Sequence, residues 1–187
     1  PTRSPDNAFI AFTTNRENMD EHENWELYIA SVDNTIMRRV TYNTFAKDID
    51  PVWSPDGRYL IFETDRDGNW ELYLFDLATG AETRLTDHRA NDINAFWSPD
   101  SQQFVFQSDR DGEWQIYMYD LATKEVTRLS DGATEDHDPH ISFDGTRIAY
   151  RAYAGANSLI YVMDIDGGNK TLISDPAGSS ANHTWAP

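Results

Sequence analysis

The sequence contains no cysteine, few basic residues and no long apolar run. Without cysteine, disulfides, thiolate nucleophiles, zinc ribbons and iron–sulfur clusters are excluded. Lys and Arg number 15 against 32 Asp and Glu, so the formal net charge is −17. Such a charge repels nucleic-acid phosphates and anionic lipid headgroups, and no apolar run reaches the roughly 18 residues of a membrane span. We therefore expect no nucleic-acid partner and no membrane insertion.

Aromatic residues, in contrast, are abundant. The 187 residues include 6 Trp, 9 Tyr and 9 Phe, too many for a disordered acidic segment and well suited to β-strands. A chain of this length can bury about 70% of its unfolded surface. The composition therefore predicts a folded, β-rich chain. Because it opens without an initiator Met or a signal peptide, we also expect termini that were cut or processed.

A short motif recurs at a fixed spacing. Segments 51–57 (PVWSPDG), 95–101 (AFWSPDS) and 139–145 (PHISFDG) lie 44 residues apart, and the same step leads to Trp185. The chain opens on a related phrase at residues 1–7, so the first repeat is 50 residues long. Self-similarity at such a period is typical of repeat architectures.

Within each repeat, apolar residues alternate in short runs, as at 59–62 (YLIF) and 72–75 (LYLF). These runs predict strands. Between them, Asp-Arg-Asp-Gly at 65–68 and 109–112 supplies the positive φ of a tight turn. Four antiparallel strands per 44 residues, with no helical period, predict an all-β fold. The expected architecture is a β-propeller of four-stranded antiparallel blades.

The repeat boundaries divide the whole chain, residues 1–187, into one propeller segment. We place the four blades at 1–50, 51–94, 95–138 and 139–182, and residues 183–187 begin a further inner strand. Four such blades leave two open edges and uncovered apolar faces, which soluble proteins avoid. The chain is expected to be part of a longer propeller, or to form a homodimeric eight-bladed ring. A compact four-bladed ring is the third alternative.

The phrases Trp-Ser-Pro-Asp-Gly at 53–57, Asp-Arg-Asp-Gly at 65–68 and Arg-Leu-Thr at 84–86 resemble the WD-like repeat of the TolB family. A similar repeat occurs in the propellers of tricorn-type and prolyl-oligopeptidase-type proteases and in oligogalacturonate lyases. The resemblance covers essentially the whole chain and implies the propeller fold. Because the family uses one scaffold for several functions, it implies less about activity.

Residues that recur in each repeat are expected to serve the fold. This structural set comprises Trp53, Trp97, Trp185, Asp56, Gly57, Asp48, Asp92 and Asp136. The tryptophans are predicted to fill the gaps between blades. The aspartates before the inner strands are predicted to cap a loop by accepting hydrogen bonds from backbone N–H groups. The repeat is irregular at Ile141, which replaces Trp, and at 154–157 (AGAN), which replaces Asp-Arg-Asp-Gly.

A second recurring set of side-chain oxygens lies close to the predicted channel mouth. Its members, which we name as candidate binding residues, are Asp50, Asn94, Asp138 and Asn182. Calcium prefers oxygen ligands of this kind, although solvated loop caps would show the same residue types.

Three histidines break the recurrence and are candidate ligands of a transition metal: His137, His140 and His183. Oligogalacturonate lyases, which the repeat resembles, place a His-rich metal site near the propeller axis. The alternative is that these histidines are loop residues bonded to neighbouring carboxylates. No cofactor is otherwise required.

The sequence contains neither a Gly-X-Ser-X-Gly elbow nor a phosphate-binding loop, so we name no catalytic residue. We expect a non-catalytic scaffold for protein–protein or ligand interaction, with a protein partner or a second copy completing the propeller. The resemblance to TolB, which works in the bacterial periplasm, implies an extracytoplasmic location, periplasmic or secreted. The alternative is the propeller of an enzyme, either like a metal-dependent polysaccharide lyase or the substrate-gating propeller of an oligopeptidase-type protease.

Overall fold

The computed structural model describes residues 1–16, 24–43, 45–155, 157–175, 183 and 185. Every helix or strand assigned in these residues is a β-strand, and the strands form four antiparallel four-stranded sheets. The all-β prediction and the four-stranded blades are therefore confirmed. No helix in the described ranges is long and apolar enough to cross a membrane. The chain divides into two compact units, residues 1–93 and 94–187.

The first unit holds two blades whose strands pair in chain order. Blade 1 consists of β1 (Thr2–Arg3), β2 (Phe9–Thr14), β3 (Glu26–Ser31) and β4 (Met37–Arg39). Blade 2 consists of β5 (Asp48–Trp53), β6 (Tyr59–Thr64), β7 (Glu71–Asp76) and β8 (Glu82–Arg84).

The second unit carries the other two blades, with β9 beginning at the junction. Blade 3 consists of β9 (Asp92–Trp97), β10 (Gln103–Ser108), β11 (Gln115–Asp120) and β12 (Val126–Arg128). Blade 4 consists of β13 (Glu135–Ile141), β14 (Arg147–Ala154), β15 (Asn157–Asp164) and β16 (Thr171–Leu172). The inner strands β5, β9 and β13 start a few residues before the blade boundaries that the motif predicts. Those boundaries stay a prediction.

The Trp-Ser-Pro-Asp-Gly phrase forms the turn between the first two strands of a blade. In blade 2, the Ser54 hydroxyl donates to Asp56 Oδ1 at 2.6 Å and accepts from the backbone N–H of Tyr59 at 2.9 Å. Gly57 follows with a φ of 73°, where a side chain would be strained. The same serine–aspartate bond recurs in the other three blades. The phrase thus recurs because each turn needs the same hydrogen bonds and the same backbone conformation.

Apolar faces of the two blades in each unit form its core. The first core includes Leu27, Leu60 and Phe62, and the partly buried Trp53 packs against it. The second includes Ile116, Ile148 and Tyr150, and there Ile141 stands at the tryptophan position. Burying one such side chain stabilises the fold by about 1.5–3 kcal/mol. Of the other two motif tryptophans, Trp97 is buried against Phe104, and Trp185 Nε1 donates to the His140 carbonyl at 2.9 Å.

In each of blades 1, 2 and 3, a buried polar network ties the outer strand to the third strand of the same blade. In blade 2, Glu71 accepts from Arg84 Nη2 at 3.0 Å and from the Thr86 hydroxyl at 2.5 Å. Glu26 and Gln115 hold the equivalent Arg and Thr or Ser in blades 1 and 3. In blade 4 both partners are replaced together, by Leu159 and Leu172. Replacing both avoids leaving one partner buried without the other.

Candidate functional site

The inner strands of blades 2, 3 and 4 each contain one residue in the left-handed backbone region. These residues are Asp50 (φ 48°), Asn94 (φ 55°) and Asp138 (φ 52°). In β5 and β13 the pairing register shifts across this position, between Ile49 and Val52 and between His137 and His140. Asp and Asn tolerate this conformation better than other residues with a side chain. Such bulges re-aim side chains out of the ladder.

In the second unit, the structure brings Asn94 and Asp138 together. Asn94 Nδ2 donates to Asp138 Oδ1 at 3.0 Å and to Gln107 Oε1 at 3.0 Å. The Gln107 oxygen also accepts the Asp138 backbone N–H at 2.9 Å, and Arg151 forms an ion pair with Asp138. Asp50 belongs to the first unit, and Asn182 lies outside the described residues.

Asn94 and Asp138 border an open cavity of about 420 Å³. Its lining also includes Phe96, His140 and His183. The His140 ring stacks on Phe96 with centroids 4.6 Å apart, and the His183 ring lies 5.1 Å from it. A carboxylate, an amide and two imidazoles therefore face one space, where they can hydrogen-bond a ligand.

His137 occupies a different environment. Its Nδ1 lies 3.3 Å from Gln107 Nε2, its ring meets Tyr153 edge-on at 5.0 Å, and its Nε2 is 3.7 Å from Glu135. Only His140 and His183 of the three candidates are thus seen in contact. Among the residues that the structure describes, no group of three or more His, Cys, Asp or Glu is placed to hold a metal ion. The three-histidine metal site stays a prediction.

Burial shapes the charge of these histidines. Desolvation lowers the pKa of His140, the nearby His183 lowers it further, and Asp138 acts in the opposite direction. Desolvation likewise lowers the pKa of His137, with Asp138 opposing and Arg151 assisting. Both shifts favour the neutral ring, and a neutral imidazole offers one acceptor nitrogen.

The aspartates before the inner strands are fully buried: Asp48, Asp92 and Asp136. Two of them accept hydrogen bonds from side chains. Asp48 accepts from Arg66 Nη2 at 3.0 Å and from Asn43 Nδ2 at 2.6 Å, and Asp136 accepts from the Thr134 hydroxyl at 2.6 Å. The loop-capping role through backbone N–H groups stays a prediction.

Sequence reasoning did not identify Gln107 and Arg151 as partners of Asn94 and Asp138. Both stand at the repeat position that Glu63 occupies in blade 2. The repeat therefore contained a signal, since this position changes from acid to amide to cation along the chain.

Comparisons with known proteins agree with this architecture. The family model described as TolB beta propeller domain matches residues 1–187. The curated Tol-Pal system protein TolB of Francisella tularensis is 34% identical over 68 residues, which cover 35% of this chain and 15% of that protein. The structure of putative TolB from Agrobacterium tumefaciens superposes with a TM-score of 0.77 at 28% identity, covering 91% of this chain and 62% of that one.

An enzyme shares the fold as well. An oligogalacturonate lyase in complex with manganese superposes with a TM-score of 0.72 at 16% identity, covering 91% of this chain and 50% of that chain. At this identity the likeness shows the fold alone. The chain spans less than two thirds of the length of each of these three proteins.

Proposed function

Because this chain belongs to the TolB β-propeller domain family, we propose that it is a non-catalytic scaffold that binds a protein partner through its inner-strand loops. The observation that carries the proposal is the cavity beside Asn94, Asp138, His140 and His183, which presents hydrogen-bonding groups on a rigid sheet. The TolB proteins that the sequence resembles are periplasmic, which supports an extracytoplasmic location.

The partner's chemistry follows from charge and from the relatives. A net charge of −17 favours a partner with a basic surface. Since the curated relative is a Tol-Pal system protein, a component of such a system is the partner we propose to test. A second copy that completes the ring is the competing partner, and solution mass by light scattering distinguishes the two.

Asp138→Asn is expected to weaken binding of a purified Pal protein by about tenfold, because the charge opposite a basic surface is lost. Isothermal titration calorimetry measures the effect. Asp166→Asn is the matched control, since it removes the same charge from an exposed turn of the same unit and should leave the affinity unchanged. Equal effects of both substitutions, or no binding by the unmodified chain, would contradict the scaffold proposal.

The second candidate function is metal-dependent chemistry, which the proximity of the His140 and His183 rings favours. It predicts that Mn²⁺, Ni²⁺ or Zn²⁺ raises the thermal unfolding temperature, because a ligand bound only to the folded state stabilises it. His140→Ala should abolish the rise, and His137→Ala, in its separate environment, should retain it. Differential scanning fluorimetry provides the measurement, and an absent metal effect removes this candidate.

A further inference from the structure

In blades 2 and 3, an arginine from the central hairpin covers an aromatic ring. Arg66 Cζ lies 4.4 Å from the Tyr73 ring centroid, and its Nε donates to Thr64 Oγ1 at 3.1 Å. Its Nη2 donates to the buried Asp48 at 3.0 Å. In blade 3, Arg110 Cζ lies 4.7 Å from the Tyr117 centroid. The guanidinium group is thus an internal component of both blades.

Blade 4 has lost the arginine and kept the groups that receive it. At the 44-residue spacing, Ala154 replaces Arg110 and Ala152 replaces the hydroxyl residue Ser108. Asp136 remains at the position of Asp48, and Tyr161 remains at the position of the stacking tyrosine. The carboxylate and the ring are therefore present without the hairpin arginine that lies between them in blade 2.

Two buried polar atoms beside this place have no hydrogen-bond partner within the described residues. Asp136 is fully buried and its Oδ2 has no hydrogen bond. Tyr150, which replaces the phenylalanine of blades 2 and 3, is also fully buried, and its hydroxyl has none. Burial raises the pKa of both groups. Since an unpaired buried polar group is costly, a donor that reached Asp136 would be favourable.

Small residues stand in blade 4 along the route that the arginine side chain takes in blade 2. Strand alternation places Ala152 and Ala154 on the same face of β14 as Tyr150. Ala154 and Gly155 are exposed, and a Cβ added to Gly155 would meet no atom within 4 Å. The hairpin end of this route is therefore exposed, whereas its inner end at Ala152 is buried.

We propose that Asp136, Tyr150 and Tyr161 form a guanidinium socket that binds the side chain of an arginine on a partner polypeptide. Asp136 would accept the guanidinium N–H groups, and the Tyr161 ring would stack on its plane, as Asp48 and Tyr73 do in blade 2. That the arginine belongs to a polypeptide rests on the proposed scaffold function, whereas guanidinium binding does not.

Lys170 approaches the socket from β16. Its Nζ lies 4.8 Å from the Tyr161 centroid and 3.4 Å from Asp131 Oδ1. It thus shares the aromatic ring with the incoming guanidinium, and its positive charge also acts on Asp136. Removing this competing cation, as in Lys170→Met, should strengthen guanidinium binding.

The test is a titration of the full chain with methylguanidinium, followed by NMR chemical shifts. We expect saturable binding in the millimolar range, several-fold tighter than for methylammonium, which cannot form paired hydrogen bonds in one plane. Ala154→Arg should fill the socket from within, abolish binding and raise the unfolding temperature. Ala122→Arg, which adds the same charge to an exposed turn of the same unit, should retain binding.

The proposal is overturned if the unmodified chain shows no saturable shift, or if Ala154→Arg binds the probe as before. Asp136→Asn provides a nearly isosteric second variant, checked for folding by circular dichroism, and should also lose binding. If the chain does not bind methylguanidinium but Asp138→Asn still weakens binding of the Pal protein, the socket is contradicted and the scaffold function is supported. If the chain binds methylguanidinium but does not bind the Pal protein, the guanidinium socket is supported and the scaffold function is contradicted.

Discussion

Replacing Glu71 by alanine is expected to lower the free energy of unfolding by about 3–5 kcal/mol, because it leaves a buried charge partner and several donors unpaired. The Glu71 carboxylate is fully buried and accepts from Arg84, from the Thr86 hydroxyl, from the His88 backbone N–H and from Asn69. An alanine at position 71 supplies no acceptor for these donors, and water reaches this buried position poorly. Urea denaturation followed by tryptophan fluorescence measures the loss.

The other blades contain matched controls for this prediction. Glu71→Gln copies Gln115 of blade 3, which holds the same kind of arginine and hydroxyl partners, and should cost only about 1 kcal/mol. The double variant Glu71→Leu with Arg84→Leu copies Leu159 and Leu172 of blade 4. It should cost less than the two single changes added together. A Glu71→Ala loss below about 1 kcal/mol would contradict the assigned role of the network.

The fold was predictable because its signals are local and repeated. Alternating apolar residues at 59–62 and 72–75 predicted strands that the structure extends to Tyr59–Thr64 and Glu71–Asp76. The turn phrase at 53–57 predicted the hairpin that Ser54, Asp56 and Gly57 form. Each of these signals depends on neighbouring residues along the chain, so one sequence suffices to find them.

Side-chain partners were less predictable because they join residues distant in sequence. Recurrence identified Asp48 as structural, but it did not identify Arg66, which lies on the following hairpin, as its partner. Nor did recurrence separate two possible reasons why Asp or Asn stands at positions 50, 94 and 138, namely backbone conformation and ligand binding. The left-handed backbone at these positions selects the same residue types as a ligand would. Residue type alone therefore leaves the function of these loops as a proposal.

Replacing Arg66 by alanine is expected to destabilise the chain by about 3 kcal/mol, because it leaves the buried Asp48 carboxylate without its cation. Arg66 also forms an ion pair with Glu82 at 2.5 Å and stacks on Tyr73. Arg58→Ala is the control, since that arginine is exposed and overlies Tyr59, and should change stability by no more than about 0.5 kcal/mol. Urea denaturation compares the two variants.

The double variant Arg66→Ala with Asp48→Asn separates the two contributions of the guanidinium group. If the unpaired carboxylate causes most of the loss, neutralising it should recover part of the stability, because a buried amide costs less than a buried charge. An unchanged double variant would mean that stacking on Tyr73 and the pair with Glu82 dominate. Since blade 4 carries Ala154 and Asp136 at these positions, recovery in blade 2 would also indicate that Asp136 is the part of the socket that most strongly favours an external guanidinium.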